Sequence, residues 1–241
     1  MAGHSKWANI KHKKAKADKK KGKLFSKIMK ELINAVKQGG ADPKTNARLR
    51  VILDKARAAG MPQDNIDRNI KRAASQDSTN YDEVIYEIYG YGGVAILCEA
   101  LTDNKNRTAT DIRIAINKRG GQIASVGSVL FLFDRKGVIE IAKAGVDKDQ
   151  LFFDATDRGA EDFDEDDTTY YIITTQGDFA PVRAALEEKG YAILQSTLTF
   201  IPKARTLSEG ENREKNQALI EWLEEIDDVD EVISNMVHDE D

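Results

Sequence analysis

Nine lysines stand within the first 23 residues: Lys6, Lys11, Lys13, Lys14, Lys16, Lys19, Lys20, Lys21 and Lys23. Trp7 and His12 lie among them, and Asp18 is the one acid. An ammonium group meets a phosphate as a point charge and releases counterions condensed on the polyanion. Such contacts hold a phosphodiester backbone without reading bases. Trp7 either stacks on an unpaired base or anchors the segment against the helices that follow. A solubilising tail is the third reading, although nine lysines with an embedded Trp and His exceed what solubility needs. The pattern fits DNA and structured RNA alike.

A second candidate is the stretch DNKNRT at 103–108, between a strand end and a helix start. Backbone N–H groups and the helix dipole favour anions there, and Asn104, Lys105, Asn106 and Arg107 add donors. Ordinary capping by Asp103 or Asn106 explains the same residues equally well. Catalytic constellations are absent from the pattern. The histidines are His4, His12 and His238, all in terminal segments, so no nucleophile–histidine pair is visible in the folded regions. Cys98 sits in VAILCEAL and reads as a buried thiol. No CxxC, HExxH or GxxxxGK[ST] spacing occurs, and GYGG at 90–93 reads as a turn. The acidic clusters EDFDEDD (161–167) and DDVDE (227–231) lack the ligand spacing of a calcium loop. A solvated acidic face is the simpler reading of both. The chain is therefore read as no enzyme, with neither metal nor cofactor.

Charge is divided along the chain. The 241 residues carry a formal −5, but residues 1–75 hold 20 Lys+Arg against 6 Asp+Glu, a formal +14, and 76–241 hold 16 against 35, a formal −19. A basic first third on an acidic body points to a polyanion bound at the N-terminal region. One cysteine excludes an internal disulfide and suggests a reducing compartment. The longest apolar runs, such as VLFLF at 129–133, fall far below the roughly 20 residues of a membrane helix. With no apolar leader at the N-terminus, a cytoplasmic protein without a membrane partner is expected. The oligomeric state is not legible; a monomer is favoured.

The elements that must position these groups follow from periodicity. Leu24, Phe25, Ile28, Met29, Leu32 and Val36 fall at helical spacing, closed by Gly39-Gly40. Asp42-Pro43 reads as the cap and first residue of a second helix bearing Leu49, Ile52, Leu53 and Ala56. Pro62 opens a third with Ile66 and Ile70 inward. The outward faces of this three-helix bundle carry Arg48, Arg50, Lys55, Arg57, Arg68, Lys71 and Arg72. SQDSTN (75–80) reads as a linker. Strands are expected at 81–89, where Val84, Tyr86 and Ile88 alternate with Glu83 and Glu87, at 94–101 and at 127–134. RKG (135–137) reads as a turn, followed by strand 138–142, helix 147–159, strand 168–175, helix 178–190 and strand 192–201. The tail from Leu207 holds an amphipathic helix, with Leu219, Trp222 and Ile226, that must pack back on the body. The fold class is α+β: an N-terminal bundle (1–78), a discontinuous α+β domain (79–134 plus 206–241), and an inserted ferredoxin-like domain (135–205).

Three separate blocks carry a resemblance: AGHSKWANIKHKKAKADKKKGKLFSK, KARAAGMPQDNIDRNIKR, and YGYGGVAILCEALTDNKNRTATDIR with GSVLFLFDRKG. They resemble the YebC/PmpR family across essentially the whole chain. Tyr91 is a departure, because the family usually has Pro there. The resemblance implies three domains, one inserted within another, and a cytoplasmic DNA-binding regulator of transcription without catalytic activity. It also implies an alternative, since other members act in translation with the ribosome at proline-containing stretches. On that alternative the partners are rRNA and tRNA. Lysine-dominated contact leans toward RNA, and family usage toward DNA.

Overall fold

The computed structural model describes residues 21–75 and 79–237. The chain opens with three helices, α1 (Lys21–Gly39), α2 (Ala47–Ala58) and α3 (Gln63–Ala73). Ile28, Leu32, Ala35 and Val36 of α1 meet Leu49, Ile52, Leu53 and Ala56 of α2 and Ile66 and Ala73 of α3 in one buried cluster. These are the i, i+3/i+4, i+7 positions of each helix, so periodicity alone dictates the bundle. The start of α2 differs from expectation. Asp42 accepts from Lys44 N in a turn, while Asn46 caps the helix, its Oδ1 accepting from Leu49 N at 3.0 Å. The same side chain donates to the carbonyls of Ala35 and Gly40, each at 2.8 Å. An amide both accepts and donates, so it stitches the end of α1 to the start of α2. An aspartate cannot.

The first antiparallel sheet has the order β3-β1-β2-β8, built from β1 (Asp82–Tyr89), β2 (Ala95–Thr102), the short β3 (Gln122–Ile123) and β8 (Val229–Ser234). Helices α4 (Lys105–Arg119) and α7 (Gly210–Glu225) cover one face, burying Ile88, Ile96, Cys98, Ile112, Ile116, Leu219 and Leu223. The other face meets Val129, Phe133 and Phe200. Burial on both faces explains why VAILCEAL is apolar apart from Glu99 rather than alternating. The tail thus packs on the body as its amphipathic helix requires. DDVDE, however, is no solvated acidic face: it leads into β8, which pairs with β2.

The second sheet has the order β5-β6-β4-β7, from β4 (Phe133–Ala142), β5 (Ala160–Glu165), β6 (Thr169–Thr175) and β7 (Ile193–Pro202), with α5 (Lys148–Thr156) and α6 (Phe179–Glu188). In chain order this is β-α-β-β-α-β, all pairings antiparallel, and it lies between β3 and β8 of the first sheet. Here too the structure corrects the sequence. Residues 130–132 form a single 3₁₀ turn, and RKG is no turn: β4 runs straight through it. Gly137 sits there because a Cβ would lie 2.4 Å from both Phe179 Cδ2 and Thr174 Oγ1, so α6 packs directly on the strand backbone. Most of EDFDEDD forms the edge strand β5, whose charge blocks sheet-to-sheet pairing. Its acids have partners: Glu165 binds Lys143 (2.6 Å) and Lys148 (2.5 Å), Glu161 binds Lys136, and Asp166 accepts from Tyr171 Oη at 2.6 Å.

Glu87 was expected to face outward but is buried, accepting from the backbone N–H groups of Gly127, Val129 and Leu130. Burial would raise its pKa; those three donors outweigh it and hold the carboxylate below its usual range. Replacing Gly137 by Val is expected to force Phe179 off the sheet and cost about 1–3 kcal/mol. Urea unfolding of the variant checks this, and a wild-type midpoint would refute the close approach.

Candidate nucleic-acid interface

Lys23, Lys27 and Lys30 occur at i, i+4 and i+7 on α1 and therefore share one face. That face meets the C-terminal end of α7 and the entry to β8. Their ammonium groups donate to the carbonyls of Glu224, Asp230 and Asp227 respectively, each at 3.0 Å. The last carbonyls of a helix lack intrahelical donors and carry the negative end of its dipole, so a row of cations suits them. At the centre lies the buried Asp228. Its carboxylate accepts from Lys30 Nζ (2.9 Å), from Arg107 Nε and Nη2 (2.7–3.0 Å) and from Thr108 Oγ1 (2.9 Å). Burial pushes its pKa up; the donors Lys30, Arg107 and Thr108 outweigh this and bring it to about 2. Elsewhere on α1 the half-buried Glu31 accepts from Lys55 Nζ at 2.5 Å, and burial raises its pKa against the pull of Lys55.

These contacts sort the basic residues picked from sequence. Lys23 is committed to the 224–227 turn. Arg48 binds Glu83 and Gln38, and Arg57 pairs with Asp54 at 3.0 Å. The 104–107 segment is internal as well. Asn104 caps α4 by accepting from Arg107 N, Lys105 pairs with Asp82 at 3.2 Å, and Arg107 is held by Asp228 and Asp103. Capping thus accounts for that segment, with Asn104 in place of Asp103 or Asn106. Arg68, Lys71 and Arg72 differ: they stand exposed on one face of α3 with no ion-pair partner among the described residues. Lys6, Trp7, Lys11, His12, Lys13, Lys14, Lys16, Lys19 and Lys20 lie outside the described residues, as do His4 and His238. Cys98 is fully buried and its thiol is pushed up to about 12 by burial, which leaves it inert. Among the described residues, no group of three or more His, Cys, Asp and Glu is placed to share a metal ion.

Sequence reading missed the role of Lys27 and Lys30. Their helical spacing was visible, but their partners lie about 200 residues further along the chain. The GYGG turn shows a similar long-range dependence. The buried Asn216 of α7 accepts from Tyr91 N (2.8 Å) and donates to Tyr91 O (3.0 Å). The Tyr91 ring fills the space where a Cβ on Gly120 would stand.

Residues 5–76 match the family model described as the TACO1/YebC protein N-terminal domain, and residues 81–236 match that of the TACO1/YebC second and third domain. The chain belongs to the TACO1/YebC family. It is 53% identical over 236 residues to a probable transcriptional regulatory protein of Protochlamydia amoebophila, covering 98% of this chain and 96% of that one. A protein of the same description from Chlamydia trachomatis serovar L2 is 52% identical over 237 residues, covering 98% and 100%. The crystal structure of the conserved hypothetical protein Aq1575 from Aquifex aeolicus superposes with a TM-score of 0.83 at 40% identity, covering 97% of each chain. The α+β layout of three helices and two four-stranded antiparallel sheets is thus shared with Aq1575.

Replacing Asp228 by Asn removes the charge on which Lys30 and Arg107 converge, and is expected to cost about 1.5–3 kcal/mol at neutral pH. The folded-state pKa lies below the unfolded one, so the contribution is complete above about pH 4 and lost as pH falls. Urea melts across pH should therefore show the gap between variant and wild type closing toward pH about 2. A gap independent of pH would contradict this assignment.

Proposed function

We propose that the protein is a DNA-binding regulator of transcription that grips the sugar-phosphate backbone through its N-terminal basic region. The carrying observation is the split between committed and free cations. The inward lysines of α1 are satisfied within the protein, whereas Arg68, Lys71 and Arg72 of α3 stand free. In sequence they belong to the same basic first third as the lysine-rich segment, residues 1–75 holding 20 Lys+Arg against 6 Asp+Glu. The curated relatives described as probable transcriptional regulatory proteins support the same reading. Base reading is not favoured. The amides of α3 are turned to its own helix, Asn69 donating to Asn65 O at 2.7 Å and Gln63 to Asp67 at 2.8 Å. Backbone contact without bidentate amide readout gives weak sequence preference. On this reading the division is 1–78 for DNA, 79–134 plus 206–241 as the acidic body, and 135–205 as an inserted ferredoxin-like unit. The protein acts as a cytoplasmic monomer without a catalytic step.

Two measurements test this. Replacing Lys11, Lys13, Lys14, Lys19 and Lys20 with Ala should flatten the log–log salt dependence of duplex binding by about 4–5. Replacing Arg68, Lys71 and Arg72 should flatten it by about 3, equally for unrelated sequences. Unchanged slopes would remove the N-terminal region from the interface. Crosslinking in growing cells should recover DNA; rRNA and tRNA without DNA would replace this reading with the ribosome-associated one.

A further inference from the structure

Helix α5 turns two aromatic side chains outward on an acidic unit. Leu151, Asp154 and Ala155 form its buried side. Asp149, Phe152, Phe153, Thr156 and Asp157 fall on the opposite side, at i, i+3, i+4, i+7 and i+8. That side meets solvent, where an amphipathic helix places polar groups. Phe152 is nevertheless 50% exposed and Phe153 67%. The two differ in attachment. The Phe152 ring meets Phe163 of β5 edge to face with centroids 5.7 Å apart, and Phe163 lies 5.4 Å from Tyr170. Phe153 makes no ring contact among the described residues.

The charge around this pair has one sign. Residues 147–167 hold 10 Asp+Glu against 2 Lys+Arg, a formal −8. The local cations are engaged: Lys148 pairs with Glu165 at 2.5 Å, Lys189 with Asp154, and Arg158 approaches Asp157 to 3.9 Å. Asp149 is exposed with no ion-pair partner among the described residues. Asp149 and Asp157 stand four residues before and after Phe153, so one ring sits between two carboxylates over about 12 Å of helix. Such a surface repels a phosphodiester backbone and attracts cations. Arginine uses both of its parts, because a planar guanidinium stacks on a ring face and forks onto a carboxylate. A lysine ammonium is more strongly hydrated and gains less from the ring.

We propose that the outward face of α5, centred on Phe153 between Asp149 and Asp157, docks an arginine-rich segment of a partner protein. Exposed aromatic side chains within a charged rim have the composition of a protein-binding patch. The site lies on the second α+β unit and goes beyond the DNA-binding reading. It does not require the N-terminal region to bind DNA, so either stands without the other.

Fluorescence anisotropy of the full chain with a labelled nona-arginine peptide, and with nona-lysine of equal charge, tests the proposal. The wild type should prefer nona-arginine. Phe153→Ala should weaken nona-arginine binding about 2–5-fold and leave nona-lysine nearly unchanged, which erases the preference. Phe153→Trp should keep or strengthen it, since indole is the better cation acceptor. Asp149→Asn with Asp157→Asn should weaken both peptides, and less so at high salt. The replaced side chains are exposed, so thermal melting should report an unchanged fold. Equal binding of the two peptides by the wild type, or nona-arginine binding untouched by Phe153→Ala, overturns the site. Sedimentation velocity supplies the remaining arm: a wild-type dimer that Phe153→Ala converts to monomer assigns the face to a second copy and also overturns it.

Discussion

Cations of α1 bonded to the carbonyls of the 224–230 turn, and the convergence of Lys30 and Arg107 on Asp228, hold the two halves of the molecule together. The bundle core and the core of the first sheet are separate clusters, while α2 meets the second sheet elsewhere, through Val51 against that sheet's core and the ion pair of Asp54 with Arg183. The joint is polar, and a polar joint needs full satisfaction. A buried carboxylate without its donors would cost more than the contact returns. Asp228 meets that demand with four donors from α1 and α4, which explains why an acid-rich C-terminus and a lysine-rich helix belong to one chain.

From this joint follows the distribution of free charge. Once Lys23, Lys27 and Lys30 are committed inward, Arg68, Lys71 and Arg72 of α3 are left to solvent with no ion-pair partner among the described residues. The acids of the body are disposed in a complementary way. Those of β5 lie on a sheet edge, and Asp228, just after α7, receives Lys30 of α1. A net charge of −5 therefore coexists with exposed cations on α3 that have no ion-pair partner among the described residues.

Amphipathic helices were legible because a 3.6-residue period survives any tertiary context: α1, α3 and α4 appear where their apolar residues recur. The interrupted strands were not. β5 and the start of β8 are written in acids, and local polarity masked their pairing with β6 and β2. Gly137 reads as a turn until the close approach of Phe179 is seen, and Asp42 reads as a cap until Asn46 is seen to bond both ways. At the interface, sequence identified the right kind of residue but could not tell free from committed cations. That distinction for Lys23, Arg48 and Arg107 depends on acids far away in the chain. The TACO1/YebC resemblance was carried by blocks spread along the chain, and it needed no such contacts.

Lysine reactivity tests the central claim most directly, because the claim concerns which ammonium groups a polyanion covers. Acetylation of the full chain with and without a mixed-sequence duplex, read by mass spectrometry, reports each lysine separately. The account predicts that DNA shields Lys71 and the lysines of residues 6–20. Lys148 and Lys203, on the second α+β unit, should keep their reactivity, and Lys27 and Lys30 should react poorly in both states. Protection centred on Lys148 and Lys203, or none at Lys71, would contradict it.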